Sequence, residues 1–212
     1  MQTMNPLVLT VRTLMSVLDG ADAFTRGRSL RVSRYAIKMA REMGVPESEW
    51  EAIELGALLH DLGRNAVLND VALQTRPLDP GERALMHTHS TTGWELIKDI
   101  PGLERAAEIV LAHHERPDGR GYPRRLKGED IPLGARIVMV CAAFDAMTED
   151  RPYRRGLSPQ EAIDELQREA GAQFFPEVVK TFARVFNDGA LWDEFTSEER
   201  ELYVRRDYLV NS

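Results

Sequence analysis

The stretch HHERPDGRGYP, residues 113–123, is the most informative part of this chain. Two adjacent histidines close a helical pattern, and two glycines and two prolines follow within nine residues, as in a tight, shaped turn. Neighbouring side chains on a helix project about 100° apart, so His113 and His114 can reach one cation, or two adjacent cations, only near a helix end. The stretch predicts a metal site there; the plain alternative is a partly exposed helix end and an ordinary connection.

The remaining histidines all lie upstream, between positions 60 and 89. His60 is followed by Asp61, and alone this pair would indicate only a hydrogen-bonded histidine at a helix end. His87 and His89 are two residues apart and face away from each other on a helix, so we expect one ligand and one surface residue. The order His-Asp, His, His-His is more specific than any one member, and such ligands suit iron, manganese, zinc or nickel.

Apolar residues recur at helical spacing over nearly the whole chain. The pattern predicts one all-α domain of about seven to nine helices, since no alternating strand pattern is present. The β-branched run 137–140 is open to a short buried strand, but its continuation favours a buried helix. Later helices are expected near 81–98, 103–115, 131–148, 159–170, 176–187 and 197–208.

Composition excludes several classes of protein. One cysteine in 212 residues excludes a disulfide framework and a cysteine-rich zinc site. A formal charge of −7 argues against general nucleic-acid binding. The N-terminal apolar run is too interrupted for a signal peptide, and no apolar run approaches the ~20 residues that span a bilayer. We therefore expect a soluble cytoplasmic protein.

Two further features surround the histidines. Gly121 and Pro123 fix Tyr122 beside the predicted metal site, where an aromatic ring can stack or donate a hydrogen bond. Downstream, Arg151, Arg154 and Arg155 form a basic cluster in an acidic protein. This cluster predicts a grip on phosphate or guanine, with a solvated loop as the alternative.

These segments resemble the HD-GYP domains, a branch of the HD metal-dependent phosphohydrolases. The matching segments are LLHDLGR (58–64), MHTHSTTGWELI (86–97), HHERPDGRGYP (113–123), LKGEDIPLGARIVMV (126–140), FDAMTEDRPYR (144–154) and GAQFFPEVV (171–179). The similarity runs from about Asp22 to Phe186. It divides the chain into an N-terminal helix (1–21), an HD-GYP domain (22–190) and a C-terminal helix or tail (191–212).

The resemblance implies an HD-type fold of stacked helices around two or three metal ions, and hydrolysis of cyclic di-GMP or a related cyclic dinucleotide. By position, Asp61 and Arg64 take catalytic places. Tyr122, Asp145, Arg151 and Arg154 take places that contact the dinucleotide. The implied metal ligands are His60, Asp61, His89, His113 and His114.

Three positions depart from the family pattern. Arg28 stands where the family has a histidine ligand, Ala142 where it has an aspartate ligand, and Arg64 where it has a lysine. The first two losses fall on one metal site and leave the other complete. We therefore predict zero or one divalent metal (Fe, Mn, Ni or Zn) rather than two, with Arg28 paired to Asp61 in place of the first ion.

Two functions follow from this pattern. One is a metal-dependent cyclic di-GMP phosphodiesterase with a degenerate first site and weak activity. The other is a catalytically inactive signalling module that binds nucleotide or a protein partner. The sequence leaves open whether catalysis survives the three departures. The N-terminal helix could pack on the core or form a homodimer contact.

Overall fold

A computed structural model of the chain describes residues 6–21, 27–67, 78–150 and 155–189. Within these ranges the regular structure is helical, and the only bridge of extended type joins Ala170 to Phe174. The α-helices are α1 (Pro6–Ala21), α2 (Arg28–Glu42), α3 (Glu47–Leu59), α4 (Pro80–His87), α5 (His89–Ile97), α6 (Glu104–Ala112), α7 (Leu133–Thr148), α8 (Pro159–Arg168) and α9 (Pro176–Asn187). Two 3-10 helices cover Leu62–Ala66 and Gly128–Asp130. The predicted all-α fold is confirmed, and the run 137–140 lies inside α7.

Two of these helices begin with complete capping boxes. Asp79 accepts a hydrogen bond from the Glu82 backbone, and the Glu82 carboxylate accepts one from the Asp79 backbone. Ser158 and Glu161 make the same reciprocal pair at the start of α8. Each pair satisfies backbone N–H groups that a helix start leaves without partners, which fixes where the helices begin.

Helix α7 lies at the centre of the larger apolar cluster. Its apolar residues are buried on nearly every side, which is typical of a helix packed all round by others. Phe144 of α7 packs against Phe182 of α9, with ring centroids 5.0 Å apart. A smaller cluster joins α1, α3 and α6, and Val11 of α1 is fully buried in it. Helix α1 therefore packs on the core of its own chain.

The segment 81–98 differs from the single helix that its apolar spacing predicts. It forms two helices separated at Thr88, whose hydroxyl donates a hydrogen bond to the Leu85 carbonyl (2.7 Å). Such local side-chain bonds compete with helix propagation. The break starts α5 at His89, at the centre of the candidate site.

Two of the sequence predictions fall outside the described residues: the helix at 197–208 and the tail at 191–212. Within the described ranges, no helix has the length and apolar character needed to cross a membrane.

Candidate metal centre

The predicted metal ligands all lie at helix ends that converge on one point. His60 and Asp61 directly follow α3, His89 begins α5, and His113 and His114 directly follow α6. All but His114 are buried almost completely. The structure thus brings together all five residues that the resemblance implies as ligands.

Three of the imidazoles are oriented by nearby backbone carbonyl groups at helix ends. The Nδ1 atoms of His60, His89 and His113 lie 2.8, 2.7 and 2.6 Å from carbonyl oxygens three residues earlier. A carbonyl can only accept a hydrogen bond, so each Nδ1 must donate. The lone pair of each ring is therefore on Nε2, the atom left for a ligand.

These Nε2 atoms face other acceptors at short range. The Nε2 atoms of His89 and His113 are 3.3 Å apart. The Nε2 atom of His60 is buried, has no hydrogen-bond partner, and lies 3.2 Å from Oδ2 of Asp61. Facing lone pairs repel each other unless a cation or a proton lies between them. The ligand atoms of His89, His113 and His114 all lie within 4.8 Å of one another, so this donor set fits one metal ion.

The protonation states agree with this fit. Burial lowers the pKa of His113 and His114 well below the ordinary value, and burial also lowers the pKa of His89. Neutral imidazole is the form that binds a metal. Burial alone would raise the pKa of Asp61, but His60 when it is protonated, together with Arg64 and Arg28, outweighs burial and holds the pKa well below its ordinary value.

The face of Asp61 that points toward Arg28 does not fit an ion. Arg28 is buried there, with its Nε 3.3 Å from Oδ2 of Asp61 and its Nη2 donating to the Ala142 carbonyl at 3.2 Å. A second cation beside this face of Asp61 would meet the guanidinium. Two of the three residues that depart from the family pattern, Arg28 and Ala142, are thus in direct contact, and Arg28 lies against Asp61 as expected.

Asp145 is buried behind Arg28. Arg31 binds both of its carboxylate oxygens, with Nε to Oδ1 at 2.6 Å and Nη2 to Oδ2 at 3.1 Å. Arg28 Nη1 lies 3.7 Å from the same Oδ2. In this structure Asp145 therefore anchors α2 to α7, and its role as a substrate contact remains a prediction.

Glu115 holds the turn after the histidine pair. Its buried carboxylate accepts hydrogen bonds from the backbone N–H groups of Arg124 (2.6 Å) and Leu126 (2.9 Å). The turn folds back so tightly that a Cβ on Gly121 would lie 2.6 Å from the His114 carbonyl oxygen. Sequence analysis did not assign a role to Glu115, although its place in the string HHE was a signal that could have found it.

Gly63 sets the distance between two parts of the site. It lies in the 3-10 helix after Asp61, and a Cβ there would overlap the carbonyl oxygen of His89. The backbone after Asp61 can therefore lie directly against the first turn of α5. This contact brings Oδ1 of Asp61 within 3.7 Å of His89 Nε2.

The residues predicted to handle substrate are placed as follows. Tyr122 stacks on His114 (centroids 4.7 Å apart), and burial raises the pKa of its hydroxyl. Arg64 donates from Nη1 to Oδ2 of Asp61 at 3.2 Å and remains partly exposed. Arg151 and Arg154 lie outside the described residues.

The sequence is similar to a known family and to curated relatives. The HD domain family matches residues 12–178. A cyclic di-GMP phosphodiesterase of Thermotoga maritima is 36% identical over 180 residues, which are 84% of this chain and 48% of that protein. The response regulator RpfG of Xanthomonas campestris, also named a cyclic di-GMP phosphodiesterase, is 36% identical over 177 residues (82% and 47%). A 3'3'-cGAMP-specific phosphodiesterase of Vibrio cholerae is 32% identical over 187 residues (87% and 35%). The chain thus spans about half or less of the length of these relatives.

Solved structures share the fold. An HDG"Y"P protein of Bdellovibrio bacteriovorus superposes with a TM-score of 0.62 at 21% identity, over 75% of this chain and 51% of that one. A cyclic GMP-AMP-specific phosphodiesterase of V. cholerae gives 0.66 at 18% identity, over 93% and 52%. At these identities the likeness supports the helical architecture alone.

Proposed function

The chain belongs to the HD domain family, in its HD-GYP branch, and from this premise we propose that it is a metal-dependent phosphodiesterase of cyclic di-GMP or a related cyclic dinucleotide. The metal is one ion of Fe, Mn, Ni or Zn, and the first site of the family is degenerate. Activity is expected to be weak because two ligands of that site are replaced.

One observation supports this proposal most strongly. Buried imidazoles whose Nδ1 protons are bound by the backbone present Nε2 lone pairs to a common point, 3.3 Å apart for His89 and His113. A structural cluster without a cation would instead alternate donors with acceptors. The ligands of the proposed ion are Asp61, His89, His113 and His114.

The metal would lower the pKa of a bound water molecule and neutralise charge on the phosphate. The residues of the chain supply the rest. Arg64 places a permanent positive charge beside Asp61, at the entrance to the site, where a phosphodiester can be bound. Tyr122 stacks on His114 beside the site, and burial raises the pKa of its hydroxyl, which keeps that hydroxyl protonated and able to donate. Arg151 and Arg154 are proposed to contact the dinucleotide.

The number of ions follows from Arg28. Its guanidinium lies against Asp61 and supplies positive charge at the position of the first ion. We therefore expect no more than one ion per chain. The substrate class is supported by the names of the curated relatives, which act on cyclic di-GMP or 3'3'-cGAMP.

A second function is favoured by the same arginine. If two ions are needed for turnover, a site with Arg28 in place of one would bind a cyclic dinucleotide without hydrolysing it. The chain would then be a signalling module that reports the nucleotide to a protein partner.

Metal analysis combined with turnover separates the two functions. The protein is purified anaerobically, its Fe, Mn, Ni and Zn are measured per chain, and cyclic di-GMP is followed by chromatography. His113→Ala serves as the matched control, because it removes one proposed ligand. About one ion per chain with turnover that His113→Ala abolishes is the expected result. Nucleotide binding without turnover in any metal would refute the phosphodiesterase and favour the signalling module.

A further inference from the structure

Three aromatic rings form a column from the protein surface to the metal centre. His87, at the end of α4, is exposed and stacks on Tyr122 with centroids 4.0 Å apart and planes inclined by 12°. Tyr122 stacks on His114 with centroids 4.7 Å apart and planes inclined by 23°. His114 in turn contacts His113, a proposed metal ligand (4.0 Å).

The two histidines lie on opposite faces of Tyr122. Two rings this close to the tyrosine centre on one face would contact each other. Among the described residues, ring contacts join His114 to His89, His113 and Tyr122, and none joins it to His87. The order of the column is therefore His87, Tyr122, His114.

This order decides which surface a nucleobase can use. Both faces of Tyr122 are covered by imidazoles, so Tyr122 can contribute to binding through its hydroxyl and its edge, but not by stacking a base. The outer face of His87 is the end of the column, because His87 is exposed and, among the residues that the structure describes, only its other face has a ring contact. Aromatic side chains at such positions stack nucleobases with little dependence on base identity.

We propose that His87 is the base-stacking residue of the site and that a purine of the bound cyclic dinucleotide extends the column on its outer face. This proposal rests on the proposed function, since it needs a nucleotide at the metal centre. The sequence alone indicated only a surface position for His87. Its role in stacking depends on the area of the imidazole ring and not on metal ligation.

The test compares nucleotide binding by three forms of the full chain: wild type, His87→Ala and His87→Phe. Binding of cyclic di-GMP is measured by calorimetry in chelator and again in Mn²⁺. We expect His87→Ala to raise the Kd about tenfold, within a range of roughly five- to hundredfold. His87→Phe keeps the stacking face and should bind nearly as well as wild type.

A fluorescent analogue gives a second readout. A cyclic dinucleotide that carries 2-aminopurine loses fluorescence when its base stacks, so quenching on saturation should be strong for wild type and His87→Phe and weak for His87→Ala. Leu96→Ala, an exposed apolar residue of α5 outside the column, is the control for surface truncation.

The outcomes are distinguishable. Equal binding and equal quenching by wild type and His87→Ala would overturn the stacking role and leave the proposed function standing. Equal losses in His87→Ala and His87→Phe would also overturn it, because ring area would then be irrelevant. Failure of the wild-type chain to bind any cyclic dinucleotide would overturn both proposals.

Discussion

Exchanging Arg28 for histidine and Ala142 for aspartate should convert a one-metal site into a two-metal site. The two positions are adjacent in space, since Arg28 Nη2 donates to the Ala142 carbonyl at 3.2 Å. Removing the guanidinium takes away the buried cation that now lies 3.3 Å from Oδ2 of Asp61, and leaves the partly exposed Arg64 as the other arginine in contact with that oxygen. Together with His60 and Asp61, the new side chains would give the first site four protein ligands.

The structure sets the size of the effect on stability. Without metal, the double variant loses a buried counter-ion and gains a buried carboxylate. Removing one partner of a buried ion pair costs about 3–5 kcal/mol. We expect the lower end, about 3 kcal/mol, because the Arg28 Nε has no hydrogen-bond partner and Asp145 keeps Arg31. For a chain of this size that lowers Tm by roughly 6–12 °C.

Added metal should reverse this loss. At a free metal concentration of about 100 times Kd, each site adds roughly 2.7 kcal/mol to the free energy of unfolding. Wild type, with one site, should gain about 2.7 kcal/mol, and the double variant, with two sites, about 5.4 kcal/mol. The larger response of the less stable protein is the distinguishing result.

The assay measures metal per chain by mass spectrometry and thermal unfolding in chelator and in Mn²⁺. Arg28→Ala and Ala142→Asp are the controls. The first removes the guanidinium without adding a ligand, and the second adds a carboxylate that Arg28 can neutralise, so each should stay at one ion. A double variant with the metal content and thermal response to metal of wild type would show that positions 28 and 142 are not the ligand positions of the first site.

Three further predictions concern the backbone around the site. Gly121→Ala should lower stability by about 1–3 kcal/mol and weaken metal binding, because its Cβ would press on the His114 carbonyl. Gly119→Ala meets only the Lys127 side chain at 3.7 Å and is strained only by its φ of 77°, so it should lose stability but keep its bound metal; denaturant unfolding and metal content check both. Glu115→Ala leaves two backbone N–H groups without their charged acceptor and should lower the free energy of unfolding in urea by about 3 kcal/mol. A decrease smaller than the experimental error would contradict the anchoring role. Gly63→Ala should reduce bound metal by separating the Asp61 segment from α5; full metal content in a folded variant would refute that contact.

The fold was largely predictable because apolar residues repeat at helical spacing through most of the chain. The run 137–140 was ambiguous as a local pattern, and its place in a sixteen-residue helix at the centre of the core removes the ambiguity. The break at Thr88 was not predictable, since apolar spacing continues across it. One hydroxyl-to-carbonyl bond lies at the break, and many threonines make such a bond without ending a helix.

The site was predictable at the level of residue types but not of orientation. The motif spacing indicates the histidines, whereas the choice of Nε2 over Nδ1 as ligand atom depends on carbonyls at the ends of three different helices. Glu115 was missed because a charged residue in a turn is usually solvated. Its burial arises from the turn folding back on itself. The contact between Arg31 and Asp145 joins residues 114 positions apart, which no local pattern reveals.

The two changes that fall on the first site, at Arg28 and Ala142, together conserve its charge. In the family pattern, one divalent ion there balances two carboxylates, Asp61 and the aspartate that Ala142 replaces. In this chain the buried guanidinium of Arg28 balances the carboxylate of Asp61, which the partly exposed Arg64 also contacts. Losing the aspartate alone would leave the charge of the ion only partly neutralised and the ion weakly held. Gaining Arg28 alone would place the guanidinium against the ion. Only the combined exchange gives a buried site that is neutral without a metal, and such a site has no electrostatic reason to recruit one. The charges therefore favour the proposal of an ordered, metal-free first site beside an intact second set of ligands over that of a damaged two-metal centre.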